Sequence, residues 1–209
     1  MPGHGAASLR TVRDGRAACG RLRAPSESGR KVSGFRASMS AMTQSWADFH
    51  AAQPDFADAV RQRFEDFPHH VLATLRPDGA PRLTGLETDF RDDELWLGMM
   101  TGSRKALDLR RDPRFSLHAN PGPGTGMGGG DVRVSGRAVE VTGPDELARY
   151  AAGSPDGVPE RFHLFRAGLT EAVRVHVEDP HIVFEIWRPG RPLRTVRRGN
   201  DDSTPYEEG

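Results

Sequence analysis

Phe56, Val60, Phe64 and Phe67 recur at spacings of four, four and three residues, the repeat of one helix face. The chain reads as helical from Ser45 onward, with Pro54 where a helix start tolerates proline. The period then changes. Residues 69–76 (HHVLATLR) predict a strand, Pro77-Asp78-Gly79-Ala80 a turn, and 81–89 (PRLTGLETD) the partner strand of a hairpin. A second turn at Arg91-Asp92-Asp93 leads into Glu94-Leu95-Trp96-Leu97-Gly98-Met99, a third strand of an antiparallel meander.

Beyond Gly102 a short helix is predicted over 103–111, closed by Asp112-Pro113 because the residue before proline is pushed out of the helical region. A strand at 114–120 precedes the loop PGPGTGMGGG, and another follows at 131–142, where Gly136 suggests a bulge or barrel bend. Brief helices are expected at 144–152 and 159–168, then strands at 172–178 and 181–188 around a hairpin signal, Asp179-Pro180. The pattern predicts a mainly β (α+β) fold, a closed or split barrel of about six to seven antiparallel strands with short flanking helices. The barrel is expected over 42–197, with 198–209 a frayed tail.

Composition changes this picture at the N-terminus. The first 40 residues are rich in Gly, Ser, Ala and Arg, and carry eight basic against two acidic residues. Such a stretch cannot bury enough apolar surface to offset its ordering entropy, so residues 1–41 are expected to be a disordered basic tail. A transit peptide, a basic nucleic-acid arm, or a start codon set too far upstream of Met39 or Met42 are the alternatives. Over the whole chain 29 basic and 29 acidic residues cancel, which gives no global attraction to nucleic acid or an anionic membrane. The single cysteine, Cys19, forms no internal disulfide and no Cys/His metal cluster, which fits a reducing cytoplasm. No apolar run approaches the roughly 20 residues of a membrane span.

Candidate chemistry is sparse. The glycine-rich loop 121–130 lacks the phosphate-loop spacings and precedes a strand, so it reads as a connector, with a lid role conceivable. The histidines fall in no ligand spacing, the serines in no nucleophile elbow, and Trp96 and Trp187 read as core or interface residues. The acids Asp89, Asp92, Asp93 and Glu94 sit at an expected turn, where solvated carboxylates are normal. What stands out is Gly102-Ser103-Arg104-Lys105. Apart from Lys31, Lys105 is the one lysine in the chain, and adjacent cations at a helix's positive end are disfavoured unless an anion binds there. A solvated basic turn is the plainer alternative. Any catalysis would need a cofactor to bring the chemistry.

The stretches VLATLRPDGAPRLTGLE, ELWLGMMTGSRKA, GSRKALDLRRDPRFSL and DVRVSGRAVEV together resemble the pyridoxamine 5′-phosphate oxidase-like flavin-binding split-barrel family. The resemblance covers 68–142 well and 172–188 loosely. It implies a homodimer with FMN at the subunit interface and a flavin-dependent oxidation or reduction of a small molecule. It places Arg104 and Lys105 on the cofactor phosphate, with Ser103 and Thr101 as added donors and Arg82, Thr84 and Gly85 along the flavin. The second hairpin strand reads Thr84-Gly85-Leu86-Glu87 where pyridoxamine phosphate oxidases carry a basic residue and a lysine, and their C-terminal substrate-gripping segment is not recognisable. A vitamin B6 substrate is therefore not expected. The alternatives are a reductase using the reduced deazaflavin F420, or a flavin- or haem-binding protein without turnover.

Overall fold

A computed structural model describes residues 42–122, 129–154, 157–199, 201 and 203–208. The expectations for residues 1–41 and for the interior of the glycine-rich loop lie outside the described residues.

The N-terminal helix expected as one run is two, separated at Gln53. α1 (Trp46–Ala52) opens with a capping box in which Ser45 Oγ accepts from the Asp48 N–H and the Asp48 carboxylate accepts from the Ser45 N–H, both at 3.1 Å. α2 (Pro54–Glu65) takes Pro54 in its first turn, where the missing N–H forfeits no intrahelical bond. Phe56, Val60 and Phe64 are buried, as their spacing required, while Phe67 falls just past the helix end, its ring 5.8 Å from the Arg63 guanidinium.

The remaining elements are β1 (His70–Leu75), β2 (Pro81–Leu86), β3 (Thr88–Arg91), β4 (Glu94–Met100), α3 (Arg104–Arg111), β5 (Arg114–His118), β6 (Asp131–Val141), α4 (Pro144–Ala152), β7 (Phe162–Glu178), β8 (His181–Trp187), β9 (Arg194–Gly199) and β10 (Tyr206–Glu208). Every strand pairing is antiparallel. The order runs β10-β9-β8-β7-β6-β5-β1-β2, with the β3–β4 hairpin joined to β7. The fold is the expected mainly β split barrel, with ten strands rather than six or seven among the described residues.

β7 is where the sheet forks. One of its edges pairs with β6 along almost its whole length, while the other is shared by β4 over Phe162–Arg166 and by β8 over Ala172–Glu178. The helix expected at 159–168 is in fact the first half of this 17-residue strand. Both of its faces are covered there: Leu164 packs with Trp96 and Val141 under Leu147 and Tyr150 of α4, and Phe165, Ala167 and Leu169 face the main core. Burial of Leu164 and Phe165 on opposite faces breaks the alternation that marks a strand, and Phe162, Phe165 and Leu169, at spacings of three and four, imitate a helix face. The second correction is at 198–209, expected to fray. Gly199 closes β9, and Tyr206–Glu208 pair with Arg197–Thr195 as β10.

Two local devices shape the barrel. The β6–β7 register shifts between Ser135 and Gly136, the bulge the sequence suggested, and a Cβ on Gly136 would lie 1.9 Å from the Gly168 carbonyl oxygen. Arg63, only 5% exposed, donates from Nε to Gly130 O (3.0 Å) and from Nη2 to Pro121 O (3.0 Å) and Asn120 O (3.3 Å). One guanidinium thus grips the chain where it enters and where it leaves the glycine-rich loop, and Asp66 accepts from its Nη1 at 2.6 Å. Both tryptophans in the strands are core residues: Trp187 stacks at 4.2 Å on Phe49, and Trp96 is 5% exposed.

Candidate functional site

β2, at the end of the sheet, and β4, on the edge of β7, do not hydrogen-bond to each other. Between their ends lies a cavity of about 400 Å³ bordered by Gly85 and Glu87 of the first hairpin, Met99 and Met100 of β4, and Ser103 and Lys105 at the start of α3. The turn that delivers α3 to this cavity is tight. The Ser103 N–H donates to Met100 O at 3.2 Å, and Gly102 adopts φ +71°, a left-handed conformation that costs glycine little.

The polar groups gathered here are undersatisfied. Ser103 occupies the N-cap of α3 with extended dihedrals, yet its hydroxyl caps nothing and is buried without a hydrogen-bond partner. The first free intrahelical N–H groups of α3 are therefore uncapped by any described side chain. Lys105 Nζ donates across the cavity to the Gly85 carbonyl. Burial pushes the Lys105 ammonium below the ordinary lysine value, because a desolvated cation paired only with a neutral carbonyl lacks a countercharge. A hydroxyl, helix N–H groups and an ammonium converging on one cavity suit an anion with several acceptor oxygens. Glu87, which faces the same cavity, is drawn to His69 at 3.3 Å.

The structure brings Gly85, Ser103 and Lys105 together; Thr84, the next residue on β2, faces the other side of the strand, where its hydroxyl is buried without a partner. Arg104, the first residue of α3, is exposed and has no ion-pair partner among the described residues. Two more of the expected residues point elsewhere. The Arg82 guanidinium donates to Asp108 at 2.6 Å, in a buried cluster where Asp108 also accepts from Thr74 (3.0 Å) and Arg111 (3.3 Å). Burial alone would raise the Asp108 carboxyl; the bonds from Arg82, Thr74 and Arg111 outweigh it and hold it below the usual range. The Thr101 hydroxyl donates to the Arg161 carbonyl at 2.8 Å, so its proton is committed to the barrel rather than to the cavity.

Sequence reasoning missed the groups behind the turn. His163 of β7, expected to be an ordinary strand-end residue, accepts from the Gly102 N–H through Nε2 at 3.1 Å and lies 3.0 Å from Glu140 on β6 through Nδ1. Glu140 is in turn held by both Arg110 Nε and Nη2 at 2.6 Å. No local spacing links residues 102, 110, 140 and 163; the pairings of Met99 with His163 and of Glu140 with Phe165 bring them together.

The chain is thus an antiparallel split barrel with an anion-suited cleft between β2 and β4. The profile of the pyridoxamine 5′-phosphate oxidase family matches residues 56–176, and the chain belongs to that family. The fold is similar to that of a pyridoxamine 5′-phosphate oxidase-related, FMN-binding protein from Nostoc punctiforme, at 15% identity and a TM-score of 0.51, covering 70% of this chain and 96% of that one. Other similar structures are PhzG from Burkholderia lata (17% identity, TM-score 0.47, 73% of this chain and 92% of that one) and ChuZ from Campylobacter jejuni (12%, 0.49, 66% and 61%). No curated protein matches. No helix among the described residues is long and apolar enough to cross a membrane.

Proposed function

We propose that the chain is an FMN-dependent oxidoreductase that acts on a small molecule as a homodimer with its cofactor at the subunit interface. The observation that carries this reading is the buried, unpartnered Ser103 hydroxyl beside Lys105 at the uncapped start of α3. In this reading those groups and Arg104 hold the phosphate, and binding returns to Lys105 the countercharge that burial denies it. Gly85, with nothing within 4 Å of the place a Cβ would occupy, leaves room for a flat ring against the backbone. FMN, once bound, supplies the hydride chemistry. The chain's residues hold and orient it and exclude water on the barrel side, and no side chain need act as an acid or base. The outer face of the β1–β2 hairpin supports the dimer: Val71 is 44% and Leu83 68% exposed, and both share a face with Gly85 through the Val71–Gly85 and Ala73–Leu83 pairs.

The test is titration of the purified protein with FMN and, separately, with F420 at fixed salt, followed by fluorescence quenching. FMN is expected to bind. Lys105→Ala should weaken it by about 1.5–3 kcal/mol, the range for a charge-assisted hydrogen bond, at unchanged melting temperature. Binding of F420 alone would transfer the site to the deazaflavin reductases. Binding of neither, or equal FMN affinity in Lys105→Ala, would overturn the reading; a haem titration then tests the non-catalytic alternative.

A further inference from the structure

The turn that carries Ser103 and Lys105 to the cleft is moored from behind, and one of its two moorings is a histidine. Thr101 Oγ donates to the Arg161 carbonyl, and the Gly102 N–H donates to His163 Nε2. Accepting at Nε2 requires that nitrogen to be unprotonated, so neutral His163 carries its proton on Nδ1, which faces Glu140 Oε1 at 3.0 Å. Glu140 is fixed as the acceptor: the paired bonds from Arg110, opposed by partial burial and reinforced by His163, hold its carboxyl below the ordinary value. The chain of contacts runs from β6 through the imidazole to a backbone amide two residues before α3.

We propose that His163 is the positioning residue of this turn, latching Gly102 when neutral and releasing it when protonated, so that anion binding at the cleft depends on the state of the imidazole. This rests on the reading of the cleft as a phosphate site. An imidazolium carries N–H groups on both nitrogens. Its Nε2–H would then meet the Gly102 N–H donor to donor, and the mooring becomes a repulsion. Two charged groups face the ring at Nδ1: Glu140 on β6 at 3.0 Å and Arg110 on α3, its Nη2 at 3.2 Å. Glu160 and Arg161, ahead of β7, complete the charged rim of the cavity of about 640 Å³ on this side of the turn. Histidine is the side chain whose charge ordinarily changes between pH 5 and 8.

Two variants separate a latch from a mere packing residue. His163→Gln keeps an acceptor oxygen for the Gly102 amide but cannot titrate; His163→Leu keeps bulk and loses the acceptor. The first readout needs no ligand: amide hydrogen exchange of Gly102 in the full chain, followed by nuclear magnetic resonance from pH 7.5 to 5.0. Protection should be present at pH 7.5 and lost on acidification in the wild type, persist throughout in His163→Gln, and be absent throughout in His163→Leu. The second is FMN affinity over the same range. Because the phosphomonoester itself changes charge near pH 6, the informative quantity is the difference between proteins: the wild type should lose at least about tenfold more affinity than His163→Gln between pH 7.5 and 5.0. Parallel pH profiles of Gly102 protection in wild type and His163→Gln would overturn the latch. Loss of Gly102 protection as expected, with no FMN binding at any pH, would keep the latch and remove the phosphate reading instead.

Discussion

Among single side chains, His70 makes the sharpest demand on its surroundings. It is 2% exposed, its ring meets Phe64 edge-on at 4.9 Å, and its Nδ1 has no hydrogen-bond partner. Burial, aided by neighbouring His69 and opposed by Glu87, lowers its pKa from 6.5 to about 4. The sign follows directly. Above about pH 6.5 the ring is neutral in both states and costs nothing. Between 6.5 and about 4 the unfolded chain takes up a proton that the folded one refuses, so stability falls on acidification by up to about 3 kcal/mol. Urea unfolding at pH 7.5, 6 and 5 should show this slope, and His70→Phe should flatten it; equal slopes would mean that His70 is not the group responsible. Lys105 and Arg82 mark the limit of legibility at this scale. Ser103, Arg104 and Lys105 are consecutive, so their convergence on a helix start was visible in the sequence. Arg82 was read as a cofactor contact because its true partner, Asp108, lies 26 residues away on an element whose docking the sequence does not disclose.

At the scale of elements, β7 organises the molecule, and its fit to β6 depends on one missing side chain. A methyl group on Gly136 would occupy the space of the Gly168 carbonyl oxygen, which is backbone and cannot swing aside. Gly136→Ala should therefore destabilise the barrel by about 2–3 kcal/mol, as overpacking of a rigid contact does. Thermal and chemical denaturation measure it, and a loss under about 0.5 kcal/mol, the size of an ordinary surface change, would show that the bulge relaxes freely. The hairpins, α3 and the bulge were legible because turn residues, caps and glycine act locally. β7 was not, since Phe162, Phe165 and Leu169 fall at helix-like spacings, and β10 was not, since its short polar sequence is held only by its neighbour β9.

For the whole molecule, the proposed dimer gathers the exposed apolar residues of β1 and β2 around the backbone of Gly85. Leu83→Glu should leave the barrel folded and convert the protein to a monomer in sedimentation equilibrium, with FMN affinity falling alongside. A dimer that survives this change would have to use another face. The grip of Arg63 bears on a different matter. Because a single buried guanidinium holds the chain at Asn120, Pro121 and Gly130, the placing of all three points is set by one side chain of α2. A descendant of this chain that lost the arginine would have to find new donors for three backbone carbonyls at once.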